Sequence, residues 1–190
     1  PDTLFMIIVA GSLNAAIIPL LADVFKKNGE KELNKFFINM MIIVSSVVLV
    51  IALLLFIFTP QITRFLMNSE FSQGILNISG RLQAEDFDLF VKLSRILMIS
   101  PVLLGISTIV TGYLQVRRQF FVTSLAPLIY NIAMTIGPVI LVGVFKMDVT
   151  GIAISAVLGS FLHFVVQVPS LGKYFGDRIK MSLGDLVKAL

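Results

Sequence analysis

From Phe36 to Thr59 the chain carries no Lys, Arg, Asp, Glu or His. A helix needs about 20 mostly apolar residues to cross the hydrocarbon core of a bilayer, so this stretch alone suffices for one crossing. Similar segments flank it. Composition agrees: 57% of residues are hydrophobic, 14% are charged, and the mean hydropathy is +0.97. A globular domain carries about 25% charged residues, so much of the charge needed to face water is missing. The reading is an all-α integral membrane protein, a polytopic helix bundle.

Apolar runs of spanning length predict five crossings, near Thr3–Val24, Phe36–Thr59, Leu93–Gln115, Phe120–Phe145 and Val149–Pro169. Residues 1–170 read as the transmembrane bundle, and 171–190 as a cytoplasmic amphipathic segment leading towards further helices. In that tail Met181, Leu183, Leu186, Val187 and Leu190 recur at helical spacing. Pro19, Pro101, Pro127 and Pro138 fall within four of the runs. Each removes a backbone donor, which membrane helices tolerate when neighbours re-satisfy the freed carbonyl, so kinks are expected.

The loops give a direction. Lys26, Lys27, Lys31 and Lys35 mark the first, Arg117 and Arg118 the third, and Lys173, Arg178, Lys180 and Lys188 the tail. The second loop mixes Arg64 and Arg81 with Glu70, Glu85, Asp86 and Asp88. Alternating basic loops put the first, third and last on the cytoplasmic side. The first crossing then runs inward, and an outside start implies at least one further helix before Pro1 if the parent protein begins inside. Within the second loop, Gln61–Met67 and Ala84–Phe90 read as short interfacial helices. The chain opens on Pro without a charged n-region or cleavage site, so no signal peptide is read.

Polar groups inside apolar segments are costly unless paired or wetted, and so they are where function is sought. Asp2, Ser12, Asn14 and Asn131 are the candidates for lining a substrate cavity. Asn14 sits mid-helix among small residues, which allow close helix approach or line a cavity. Asn131 follows Pro127 by one turn and could bond across the proline gap. Gly105, Ser107, Thr108, Thr111 and Gly112 form a small-residue stripe that reads as a packing face. His163, the only histidine, has no ligand partners nearby and reads as a packed side chain; Gln167 marks a helix exit. Tyr113, Tyr130 and Tyr174 stand as interfacial aromatics.

Enzymatic chemistry has no support. Cysteine is absent, and no nucleophile–base pair, HExxH or phosphate-cradling glycine loop occurs. No cofactor, metal or nucleic-acid partner is expected.

Several stretches carry a family resemblance. Gly11-Ser12-Leu13-Asn14-Ala15-Ala16-Ile17-Ile18-Pro19-Leu20-Leu21-Ala22-Asp23 is similar to the second transmembrane helix of the MurJ/MviN lipid II flippase family, within the MATE/MOP superfamily. Ile99-Ser100-Pro101-Val102-Leu103-Leu104-Gly105-Ile106 resembles the start of its fourth helix, and Thr111-Gly112-Tyr113-Leu114-Gln115-Val116-Arg117-Arg118-Gln119-Phe120 the turn that follows. Ala126-Pro127-Leu128-Ile129-Tyr130-Asn131 matches an Ala-Pro-x-x-x-Asn signature, and Gln167-Val168-Pro169 a closing Gln-x-Pro.

The resemblance implies helices two to six of a transporter of about fourteen helices. It implies a flippase that moves the lipid-linked peptidoglycan precursor, lipid II, across the cytoplasmic membrane by alternating access. Partners would be that lipid-linked saccharide, membrane lipids and cell-wall synthesis proteins. One departure stands out: where many members carry an Arg-Arg pair and a Glu, this chain has Phe5, Met6 and Ala10.

Overall fold

The structure is a computed structural model that describes residues 11–68 and 84–175, with side chains over 16–65 and 87–175. Every regular element among them is helical. In chain order these are α1 (Gly11–Asn68), α2 (Ala84–Leu97), α3 (Ile99–Val116), α4 (Phe120–Pro138), a π-helical segment (Val139–Val144) and α5 (Thr150–Val165). Four stretches are long and apolar enough to cross a membrane: Ala16–Phe65, Phe87–Val116, Phe120–Val144 and Thr150–Phe175.

The first of these is 50 residues long, about 75 Å at 1.5 Å per residue and far beyond the ~30 Å hydrocarbon core. It cannot be one straight crossing. Gly29 breaks it, with φ 77° and ψ −171°, a left-handed conformation that glycine adopts without the Cβ penalty of other residues. The break divides α1 into limbs at 11–28 and 30–68. The first loop expected from the lysines therefore shrinks to one glycine, and Lys26, Lys27, Lys31 and Lys35 ride on helix to either side. Gln61–Met67 is likewise not a separate interfacial helix but the end of α1, while Ala84–Phe90 is the start of α2.

Prolines shape the other elements. Met98 forms a turn between α2 and α3, three residues before Pro101, whose ring crowds the carbonyl four residues earlier, that of Leu97. Pro138 closes α4, and the wider π-helical winding begins at the next residue. The α-helical part of the fourth crossing thus stops short of Phe145. At the far end of α3, Arg118 takes φ 59°. The amides of Arg118 and Gln119 there donate to the carbonyls of Gln115 and Leu114 at 2.9 Å each, a Schellman closure that satisfies the last carbonyls of the helix.

α3 is the axis of the packing. Both limbs of α1 lie against it, α5 covers another side, and α4 packs on α5. Glycines set the closest approaches. A Cβ on Gly112 would stand 3.0 Å from Ile17 Cγ2 on the first limb, and one on Gly105 3.6 Å from Val48 on the second. Between α4 and α5 the fit is tighter: a Cβ on Gly137 would lie 2.7 Å from Cβ and Oγ of Ser155. Gly151, Ser155 and Gly159 repeat every four residues along α5, a small-residue seam that lets two backbones approach where hydrophobic burial gives no net drive. The core gathers Ile17, Leu21, Leu33, Phe37, Ile109, Val110, Tyr113 and Leu114. Outward, the most apolar window of α1 has none of its residues buried, so its Leu, Ile and Phe side chains are uncovered by the other described residues.

Gly137→Leu should destabilise the fold by about 1–3 kcal/mol, read as a lowered thermal midpoint by circular dichroism in detergent. Gly143→Ala is the matched control, because nothing lies within 4 Å of a Cβ there, and its midpoint should hold. A second expectation concerns the connection into α5. Asp148 Oδ1 accepts the hydroxyl of Thr150 and its backbone N–H at 3.0 Å. Those bonds hold the Asp148 carboxyl below the usual carboxylate range, chiefly through the Thr150 hydroxyl. A depressed carboxyl stabilises the fold above its ordinary pKa, and that contribution is lost as pH falls through the folded value. The midpoint gap between the wild type and Thr150→Val should therefore be wider at pH 7 than in acid.

Candidate functional site

Two polar clusters meet α3, one inside its membrane-spanning length and one at its end. The inner cluster joins α3 to α5. Ser107 and Thr111 stand one helical turn apart on α3, and His163 near the end of α5 stands four residues before Gln167 in the turn that follows, so two i, i+4 pairs face each other. Ser107 Oγ lies 2.6 Å from His163 Nδ1. Gln167 Nε2 donates to Ser107 Oγ at 2.8 Å and to the His163 carbonyl at 3.1 Å. Thr111 donates to Gln167 Oε1 at 3.1 Å. Ser107 Oγ thus accepts from Gln167 and shares a hydrogen bond with Nδ1 whose direction follows the histidine tautomer. The Tyr130 ring stands edge-on to His163, centroids 6.4 Å apart. Ser100 and Ser160 pair through their hydroxyls two turns further along.

His163 is thus a packed side chain held in a hydrogen-bonded network. Gln167 does not leave the bundle as a helix-exit residue would; it is wholly buried, and helix resumes after a turn at residues 166–167 as far as Phe175. The small-residue stripe of α3 packs as expected but also carries this network. Tyr130 is buried rather than interfacial.

The second cluster surrounds Arg117, directly after α3. Its side chain is only 5% exposed. The guanidinium is paired with Glu30, and its Nη2 donates to Asn34 Oδ1 at 2.9 Å and to the Tyr113 hydroxyl at 3.2 Å. The Tyr113 hydroxyl in turn donates to Asn34 Oδ1 at 2.5 Å. Three rings close around the cation, Tyr174 at 4.6 Å, Phe25 at 5.2 Å and Tyr113 at 5.4 Å. Burial alone would lower the pKa of Arg117, but the bonds to Glu30 and Tyr113 outweigh it and hold the group above its usual value, so it stays charged. Residues from both sides of the Gly29 break, from the α3–α4 turn and from the end of the last span converge there. This is a hub that fixes where three connections sit.

The cavity candidates fare differently. Ser12 and Asn14 lie on the first limb of α1, in the part whose side chains fall outside the described residues, and Asp2 lies outside them altogether. Asn131 is on the exposed side of α4, and its carbonyl accepts the Thr135 hydroxyl at 2.8 Å. Ser124 and Thr135 share that exposed face, about opposite the Ala126 and Tyr130 side that packs inward. A polar stripe on a spanning helix is expected to face protein or a wet cavity rather than lipid. Among the described residues no group of His, Cys, Asp and Glu could hold a metal ion.

A sequence profile of the family described as Lipid II flippase MurJ matches residues 1–184. The chain belongs to that family. It is 25% identical over 173 residues to the Lipid II flippase MurJ of Burkholderia cenocepacia, a match covering 91% of this chain and 32% of that protein. It is 25% identical over 134 residues to the "Probable lipid II flippase MurJ" of Rhizobium tropici, covering 70% of this chain and 24% of the relative. The chain thus spans about a third or less of the length of these MurJ relatives. Membership and the apolar helices together make it an all-α, multi-pass inner-membrane protein.

Sequence reasoning missed the Ser107–Gln167 network and the Arg117 hub, though a signal for the first was present. Both pairs carry i, i+4 spacing in adjacent apolar runs. What one sequence does not contain is which faces of those runs meet.

The inner network should behave as a unit. Ser107→Ala leaves buried partners on His163 and Gln167 short of a bond and should cost about 1–3 kcal/mol. Adding Gln167→Leu should cost less than the sum of the two single changes, by about 0.5–3 kcal/mol. Chemical denaturation of the four members of that double-mutant cycle measures the coupling.

Proposed function

We propose that this chain is part of a flippase that carries lipid II from the cytoplasmic to the outer leaflet by alternating access. The observation that carries this reading is the family match across residues 1–184, supported by two relatives named for that activity. The helices have the character such a task needs. A substrate with a polar head and a lipid tail must move its head through protein while the tail stays in hydrocarbon, which calls for packed bundles able to rock as bodies. Close-fitting glycine contacts between α3 and α1 and between α4 and α5 support such rigid units.

In this reading the Gly29 break and the Arg117 hub lie on the cytoplasmic side, as the lysines and arginines of the alternate connections favour. Asp2, Ser12, Asn14 and Asn131 line the path of the head group, and the Ser124–Asn131–Thr135 face of α4 turns towards it. The reaction forms and breaks no covalent bond, so no catalytic residue or cofactor is assigned.

Phe5, Met6 and Ala10 favour a second reading. The family usually presents cations and an acid at those positions, and a pyrophosphate is best held by arginines. Their replacement fits an exporter of another lipid-linked oligosaccharide, or a transport-inactive scaffold for cell-wall assembly. Conditional depletion of the gene that encodes this chain separates the three. Inward-facing lipid II should accumulate and outer-leaflet lipid II should fall; unchanged outer-leaflet lipid II would sink the flippase. Rescue of a flippase-deficient strain excludes the scaffold. Asn131→Leu in the rescuing gene should slow growth recovery, whereas Ile132→Leu on the same helix should not.

A further inference from the structure

A groove of about 210 Å³ runs between the second limb of α1 and α3. Leu49, Ala52, Leu53 and Phe56 form one wall, and Met98, Ile99 and Val102 the other, with Arg95 at one end of that wall. The α1 side belongs to the most apolar, least buried stretch of the described residues, and an uncovered wall of that hydropathy suits hydrocarbon rather than water. Its size is below the ~300–1,000 Å³ of ordinary small-molecule pockets, and its narrow apolar walls suit one hydrocarbon chain.

Arg95 is out of place in such a lining. Its guanidinium carbon sits 4.9 Å above the Phe56 ring, while its Nε is buried without a hydrogen-bond partner. Among the described residues no carboxylate pairs with it, in contrast to Arg117, whose charge is met by Glu30. A cation held over an aromatic ring keeps its Nη edge free for an anion.

Depth decides which anion. At 1.5 Å per residue, Arg95 and Arg117 stand about 33 Å apart along the α2–α3 span, close to the ~30 Å thickness of the hydrocarbon core. With Arg117 at one interface, Arg95 is at the headgroup level of the other. Lys92, one turn beyond and exposed, and Arg64, stacked 5.4 Å over Phe87, stand at that same end, together with the carboxylates of Asp88 and Asp148. From Arg95 the groove then descends into the hydrocarbon by way of Val102.

We propose that this groove holds one acyl chain of an anionic glycerophospholipid whose phosphate rests on Arg95. The groove shares no residue with the proposed path of the head group, and the site stands whether or not the cargo is lipid II. Bidentate pairing of guanidinium with phosphate supplies the headgroup selectivity, and the Leu49–Phe56 and Met98–Val102 walls take the chain. The bound lipid would brace α1 against α3 where the two helices leave a gap.

The chain, delipidated in detergent, is titrated with phosphatidylglycerol, phosphatidylcholine or undecaprenyl phosphate, and bound lipid is counted by native mass spectrometry. Phosphatidylglycerol should bind about tenfold or more tightly than phosphatidylcholine. Arg95→Gln should erase that preference, and Ala52→Phe, which fills the groove while keeping the cation, should weaken both phospholipids. Equal binding of the two phospholipids to the wild type overturns the proposal, as does a preference that survives Arg95→Gln. Tighter binding of undecaprenyl phosphate overturns it in favour of a polyprenyl site. A phosphatidylglycerol with a photoreactive group in mid-chain tests the wild type alone: labelling of Leu49, Leu53 or Val102 is expected, and labelling confined to other helices refutes the placement.

Discussion

No water reaches the interior of a bilayer, so each polar group placed there must find its partner within the protein. That constraint organises the described part of this chain around α3. Ser107 and Thr111 have no solvent to turn to, and they meet His163 on α5 and Gln167 in the turn after it. At the end of the same helix Arg117 is too buried to rely on water and draws in Glu30, Asn34, Tyr113 and Tyr174. These two sets of bonds determine which faces of α1, α3 and α5 can meet.

Glycine and proline then set the shape. Gly29 provides the reversal that one long apolar stretch needs if it is to cross twice, and it brings Glu30 and Asn34 back to Arg117. Gly112, Gly137 and Gly159 let helices approach until side chains of the next helix touch backbone. Hydrophobic burial does little to hold helices together in lipid, so contact distance and hydrogen bonding matter more than apolar area. The prolines place interruptions at Met98 and after Pro138, where the chain passes from one helical segment to the next.

The distribution of charge bears on transport. Phe5, Met6 and Ala10 stand where the family resemblance leads one to expect cations and an acid, and two of the described arginines are engaged elsewhere, Arg117 in the hub and Arg95 at the flank of the bundle. In the MurJ family reading, this part of the molecule serves chiefly as scaffold for the path, with polar uncharged groups such as Asn131 as its contribution to the lining.

The sequence by itself determined the all-α membrane class, because the Phe36–Thr59 run lacks the charge a water-facing helix requires, and its ordered motifs pointed to the MurJ family that the profile match established. Interruptions near Pro101 and at Pro138 were legible, since proline acts on its own neighbours through local geometry, whereas Pro19 and Pro127 sit within continuous helix. The first connection was misread as a loop because lysines indicate an interface without indicating whether the backbone there is helical. Gln167 was misread because its burial depends on α3, a partner 56 residues away at Thr111. Tertiary structure alone decided that His163 meets Ser107, that Arg117 meets Glu30 and that Arg95 meets no carboxylate among the described residues. Those outcomes depend on how helices are rotated against one another, and in lipid that rotation is set by pairwise fit and hydrogen bonding, which periodicity along one chain does not encode.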